Sequence, residues 1–136
     1  MINYIYIRKK LIYLFIFIAF GCSSNEENVD TTISGSWQLV SIKSNGTEVH
    51  DSCDLQSNMD LFTDNGGIYN QYYSDNPATE PCDLDGAYNV TWLENSSSVF
   101  TITIAGAAYS SILNGNYLEL TFNDGSDINA LQFVKN

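Results

Sequence analysis

Positive charge is scarce in this chain. Five of its 136 residues are Lys or Arg, against sixteen Asp and Glu, a formal charge of −11. A surface of that sign cannot displace the counterions of a phosphate backbone, so nucleic-acid binding is excluded. Beyond Arg8 there is no arginine, and His50 is the single histidine. Few side chains are therefore left for acid–base or nucleophilic chemistry, and no enzymatic activity is expected. A Ser–His–Asp arrangement around His50 would sit on a loop, and no pair of carboxylates is marked out for hydrolysis. Long apolar runs are also lacking. The best, Leu11 to Phe20, has ten residues. As a helix it would rise about 15 Å, half of a hydrocarbon core of about 30 Å. From Ser36 onward no window repeats every 3.6 residues, which argues against a helical fold. What is plentiful is apolar and aromatic side chains, at 44% and 13%. That is too much for a disordered acidic tail, and the length suits one domain.

The basic run Arg8, Lys9, Lys10, the apolar stretch and the small Gly21 have the order of a secretory signal peptide. Cys22 follows at once, and Ala19-Phe20-Gly21-Cys22 resembles a bacterial lipobox. The resemblance implies cleavage before Cys22 and lipidation of that cysteine. The alternative is an ordinary signal peptide with an incidental cysteine. Residues 22–34 are polar and aperiodic, as in a flexible tether. Glu26 and Glu27 sit where a surface-export signal of Bacteroidetes lipoproteins would be, or in a solvated spacer. Removing residues 1–21 leaves 115 residues with two lysines, Lys43 and Lys135, against all sixteen carboxylates, a charge of −14. An anionic membrane repels such a body, so a lipid would have to hold it at the cell envelope.

With Cys22 assigned to the anchor, Cys53 and Cys82 remain. Two thiols in an exported chain imply one disulfide. A zinc site would need two more soft ligands, with only His50 at hand, so no metal or other cofactor is expected.

Period-two alternation dominates the rest. Trp37, Leu39 and Ser41 alternate with Gln38, Val40 and Ile42, and Tyr88, Val90 and Trp92 with Asn89, Thr91 and Leu93. Phe100, Ile102 and Ile104 alternate with Val99, Thr101 and Thr103, and Leu118, Leu120 and Phe122 with Tyr117, Glu119 and Thr121. Half-buried antiparallel strands have this pattern. Asn45-Gly46, Asp64-Asn65-Gly66-Gly67, Asn114-Gly115-Asn116 and Asn123-Asp124-Gly125 supply hairpin turns. Eight strands are predicted near 35–43, 57–63, 67–73, 86–93, 98–104, 108–113, 117–122 and 127–135. The expected fold is all-β, an up-and-down antiparallel barrel over residues 35–136, whose closure removes sheet edges and favours a monomer. A two-sheet sandwich is the alternative.

Gly35-Ser36-Trp37 at the start of the first strand resembles the Gly-x-Trp signature of lipocalin-like proteins. Cys53 before the second strand, the hairpin Asp64 to Gly67, Cys82 before Gly86-Ala87-Tyr88, and Asn114-Gly115-Asn116-Tyr117-Leu118-Glu119-Leu120 follow in the order of the lipocalin-like lipoproteins of Bacteroidetes. The resemblance spans about 35–135. It implies a barrel open at the end that holds the first, third, fifth and seventh loops and closed by Trp37 at the other. One departure is the missing arginine that lipocalins pack over the signature tryptophan, a place left here to Lys135.

In that arrangement Cys53 and Cys82 share the open end with Glu48, Asp51, Asp54, Asp75, Glu80, Asp83, Asp85, Asp124 and Asp127. Such a rim suits cations, basic partners or Ca²⁺, and Asp83-Leu84-Asp85-Gly86 looks like half a calcium loop; the alternative is a plain solvated acidic surface. Leu39, Tyr88, Val90, Trp92, Phe100, Ile102, Leu118, Leu120 and Phe122 are the candidate lining of a cavity for a small hydrophobic ligand. The same residues can instead fill the barrel solidly. The chain would then serve through its surface, as an interaction or inhibitor lipoprotein with a partner protein.

Overall fold

The computed structural model describes residues 32–136. The expected signal segment 1–21, the lipidation residue Cys22 and the tether as far as residue 31 lie outside the described residues. The strands are β1 (Gly35–Ser44), a short β2 (Thr47–Glu48), β3 (Asn58–Leu61), β4 (Gly66–Tyr73), β5 (Asp83–Ser96), β6 (Val99–Ile104), β7 (Ala107–Asn114), β8 (Tyr117–Asn123) and β9 (Ile128–Lys135). From β3 to β9 each is antiparallel to the next. β1 pairs with β3 on one side and β9 on the other, which closes the sheet. The result is an eight-stranded up-and-down barrel, as expected, and not two packed sheets. β2 merely folds back on the end of β1 through Asn45-Gly46, both at positive φ (50° and 80°), the conformation that tight hairpins need.

Alternation sets the core. Leu39, Met59, Leu61, Val90, Phe100, Ile102, Leu118, Leu120 and Phe133 point inward and are buried around Trp37, which is 0% exposed. In β1 the phase slips. A bulge lies between Leu39, opposite Phe133, and Ser41, opposite Gln132. Ile42 therefore pairs with Leu131 and packs on the core, whereas Ser41 joins the outer row with Gln132. Simple alternation predicts the reverse for these two residues, because an extra residue moves every later side chain to the other face. Ser41 is still buried, and its hydroxyl donates to both oxygens of Glu48 at 2.8 Å.

The packed domain begins before β1. Ile33 is only 4% exposed, and its carbonyl accepts the Trp37 Nε1 proton at 2.8 Å. Thr32, Ile33 and Ser34, expected at the end of the tether, thus belong to the barrel floor. Lys135 completes that floor. Its ammonium lies 5.5 Å from the centre of a Trp37 ring and donates to the Thr32 carbonyl at 2.8 Å. Gly35 makes room for it. Its φ is +137°, and a Cβ there would meet Lys135 Cε at 2.8 Å. The Gly-x-Trp pattern is thereby explained locally: the glycine lets a cation arch over the indole.

Candidate functional site

The opposite end of the barrel is built around an interrupted wall. β3 has four residues between neighbours of ten and eight, so its upper half is missing. A 3-10 turn, Asp54–Gln56, and Ser57 stand in for it. The Ser57 carbonyl accepts the Leu39 amide at 3.0 Å, and the Ser57 hydroxyl accepts the Tyr72 amide at 3.1 Å. One serine thus bridges β1 and β4 where strand pairing stops. Gln38 Nε2 donates to the carbonyls of Leu55 and Ser57 at 2.6 and 2.9 Å. Cys53, fully buried, is disulfide-bonded to Cys82, with Cα atoms 5.3 Å apart. The pairing expected from the cysteine count is the one present. It joins the patch to the residue preceding β5.

The inner wall below this rim is aromatic. Tyr69 on β4 stands opposite Tyr88 on β5, and Tyr109 on β7 stands opposite the inward Ile102. All three are partly buried against the core, as are Ile42 and Leu131. Phe122 lies beside Tyr109, ring centres 5.7 Å apart and tilted by 48°. Tyr88 lies over Gly86, where a Cβ would come within 2.8 Å of its ring. Burial, followed by the neighbouring Asp54, Tyr109 and Tyr88, pushes the Tyr69 phenol above its ordinary pKa, with Ser57 acting in the opposite sense.

The expected lining residues divide by depth. Leu39, Val90, Phe100, Ile102, Leu118 and Leu120 are buried in the core. Trp92 sits towards the floor, edge-on to Phe100 at 6.1 Å, and its Nε1 donates to the Phe62 carbonyl at 3.0 Å. Tyr88 and Phe122 are the ones that reach the mouth. Phe122 continues the inward row of Leu118 and Leu120 and is 38% exposed there. Gly35 and Trp37 belong to the floor, and Cys22 lies outside the described residues. Tyr69, Tyr109 and Ile42 are mouth residues that the lining set omits. Continuing the alternation along Tyr109, Ser111 and Leu113 would have found Tyr109, but a serine in the middle of the row masks it.

Many rim carboxylates build turns. Asp51 accepts the amides of Cys53 and Asp54 at 2.7 and 2.9 Å, and Asp54 accepts that of Asp51 at 2.9 Å. Asp124 accepts the amides of Ser126 and Asp127, and these bonds hold its carboxyl below the usual range. The Ser41 hydroxyl, ahead of His50 and Lys43, does the same for Glu48. Tyr73 points away from the barrel interior and donates to Asp75 at 2.8 Å, which raises its phenol pKa. Asp83 to Gly86, the suspected half calcium loop, is the first stretch of β5. Among the described residues no three His, Cys, Asp or Glu side chains converge on a metal position.

The Tyr69 environment predicts an alkaline limit. In the unfolded chain tyrosine ionises near its ordinary value of about 10, while the folded protein keeps Tyr69 neutral to higher pH. Its contribution is complete below pH about 10 and is lost as pH rises through the raised value. Urea unfolding between pH 8 and 11 should therefore show a shallower alkaline fall for Tyr69→Phe than for the parent. An identical slope in both would mean that Tyr69 is not held neutral.

No family model matches the chain, and no curated protein is significantly similar to it. The class defined by the fold is a small closed antiparallel β-barrel with a disulfide across the end opposite Trp37 and partly buried tyrosines on its inner wall.

Proposed function

We propose that this chain is a lipid-anchored, lipocalin-like binding protein of the bacterial cell envelope, held at the outer membrane through Cys22, whose barrel takes a small hydrophobic molecule at its open end. We assign it no catalytic reaction and no resident cofactor. The observation that supports the binding role is the gradient of burial along the inner wall. At the waist Leu39, Val90, Ile102, Leu118 and Leu120 are sealed, whereas Ile42, Tyr69, Tyr88, Tyr109, Leu131 and Phe122, towards the end opposite Trp37, are only partly covered. At the floor Trp92 is the one partly exposed inward side chain among the described residues. Exposed apolar surface that converges inside a rim is the kind a ligand covers.

Protein extracted from its own cells should carry a co-purifying mass of a few hundred daltons in native mass spectrometry, on the order of a barrel ligand. Cys22→Ser should move the protein from the membrane to the soluble fraction. A bare mass overturns the ligand reading, and retention of the serine variant at the membrane overturns the anchor.

A protein partner is the second reading, favoured by the outer face of β7 to β9. Ile112 and Tyr117 are 55% and 61% exposed there. Val99 lies opposite Ile112 and Val134 opposite Tyr117, two apolar pairs with Glu119 and Asn114 between them. A concavity of about 380 Å³ opens between them, lined by Ile112, Asn114, Tyr117, Leu118, Glu119 and Gln132.

A further inference from the structure

We propose that the mouth selects an organic cation, a small ammonium compound with an apolar or aromatic body, seated among Tyr69, Tyr88 and Tyr109 beside Asp54. This rests on the binding role proposed above and narrows it to one ligand class. The first ground is the aromatic wall. Strand register sets three tyrosines on the inner face at one end of the barrel, each partly buried. Aromatic ring faces are negative and attract an ammonium most strongly where water is thinned out.

The second ground is the sign of everything nearby. Asp54 on the rim turn, together with Tyr88 and Tyr109, is close enough to the Tyr69 phenol to oppose its ionisation. The geometry agrees: the turn that carries Asp54 packs on β4, the strand of Tyr69, and the Ser57–Tyr72 hydrogen bond ties the two together. Around them the mouth loops and strand ends carry nine carboxylates, Glu48, Asp51, Asp54, Asp75, Glu80, Asp83, Asp85, Asp124 and Asp127, and one lysine. That lysine, Lys43, lies in the outer row of β1 with its ammonium 3.6 Å from Glu48. The other described lysine, Lys135, is engaged on the floor with Trp37. The single histidine, His50, is on the same loop as Glu48 and lies 2.8 Å from it. Both described lysines and the histidine are thus engaged with other groups, and none of these contacts is with the three tyrosines.

Other ligand classes fit less well. An anion meets a rim of its own sign. A neutral molecule gains nothing from the carboxylates. A metal dication needs converging donors, which the described residues do not offer. A monocation with an apolar body uses both the aromatic wall and the field.

The test uses the full chain, solubilised in detergent, titrated with three probes of one shape: benzyltrimethylammonium, neopentylbenzene and phenylmethanesulfonate. Tyrosine ring signals in NMR report binding, and protein-free micelles correct for partition of the probes. The cation should bind roughly tenfold more tightly than its neutral isostere, shifting Tyr69, Tyr88 and Tyr109, and the sulfonate should not bind. Asp54→Asn keeps an oxygen for the Asp51 amide, and Tyr88→Leu keeps apolar bulk; each should cut the cation preference to within about twofold. Their dispersed spectra show whether each variant is folded. Equal affinity for cation and neutral isostere sinks the selectivity while leaving the hydrophobic binding role standing. Failure of all three probes to bind overturns both.

Discussion

Replacing Trp37 with alanine should lower the unfolding free energy by about 3–5 kcal/mol, the range for losing a large buried aromatic. Three losses combine in this one change. The indole is completely enclosed, so its removal opens a void in a core with few ways to collapse. The Ile33 carbonyl, in a residue 4% exposed, loses the Nε1 donor that satisfies it. Lys135 loses the ring beneath its ammonium. Urea denaturation of parent and variant measures the difference. Trp37→Phe should cost less, since it keeps most of the apolar volume and removes only the donor and part of the ring. A Trp37→Ala loss below about 1 kcal/mol, the size of an ordinary surface change, would show that the floor is not the barrel's keystone.

Removing the disulfide should cost about 3–4 kcal/mol, the chain-entropy value for a loop closed over 29 residues. Alanine at both Cys53 and Cys82 avoids leaving a reactive thiol. Part of the effect should be local. The bridge holds the patch that replaces the upper half of β3, and that patch satisfies the amides of Leu39 and Tyr72. Amide exchange at those two positions should accelerate in the double variant more than at Ile102, in the middle of β6. Uniform acceleration at all three would mean that the bridge acts on the unfolded chain alone. A second consequence concerns the mouth. Tyr69 sits on β4 directly under the patch, so any probe of its ring should sense the loosened wall.

Much of the barrel was legible because each strand buries one face only. Phe100, Ile102 and Ile104 need no context to declare a half-buried strand, and Asn-Gly pairs mark where it turns. The bulge at Val40 was not legible. Val-Ser-Ile alternates plausibly in either phase, and only the closing partner β9 decides which of Ser41 and Ile42 enters the core. The brevity of β3 was hidden for a similar reason. Ser57, Phe62 and Thr63 extend its pattern, but the pairing with β1 ends at Asn58, where side-chain and turn hydrogen bonds take over. β5 runs from Asp83, three residues earlier than expected. Its acidic start looks like a ligand loop until strand pairing with Tyr73 and Tyr72 is seen. The mouth was the least legible part. It assembles Tyr69, Tyr88, Tyr109 and Phe122 from four strands, and their depth in the barrel, which separates lining from filling, depends on strand tilt and stagger.

The chain enters the barrel through its floor, where Thr32 and Ile33 meet Trp37 and Lys135. An anchor at Cys22 would be ten residues upstream, a leash of at most about 35 Å. With the proposed anchor the body would be pinned at one pole, while most of its described carboxylates lie at the other. Near an anionic bilayer such an object turns like a compass needle, with its charged pole driven outward. The open end would face the surroundings without any contact to hold it there, ready for molecules that arrive from solution instead of from the membrane beneath.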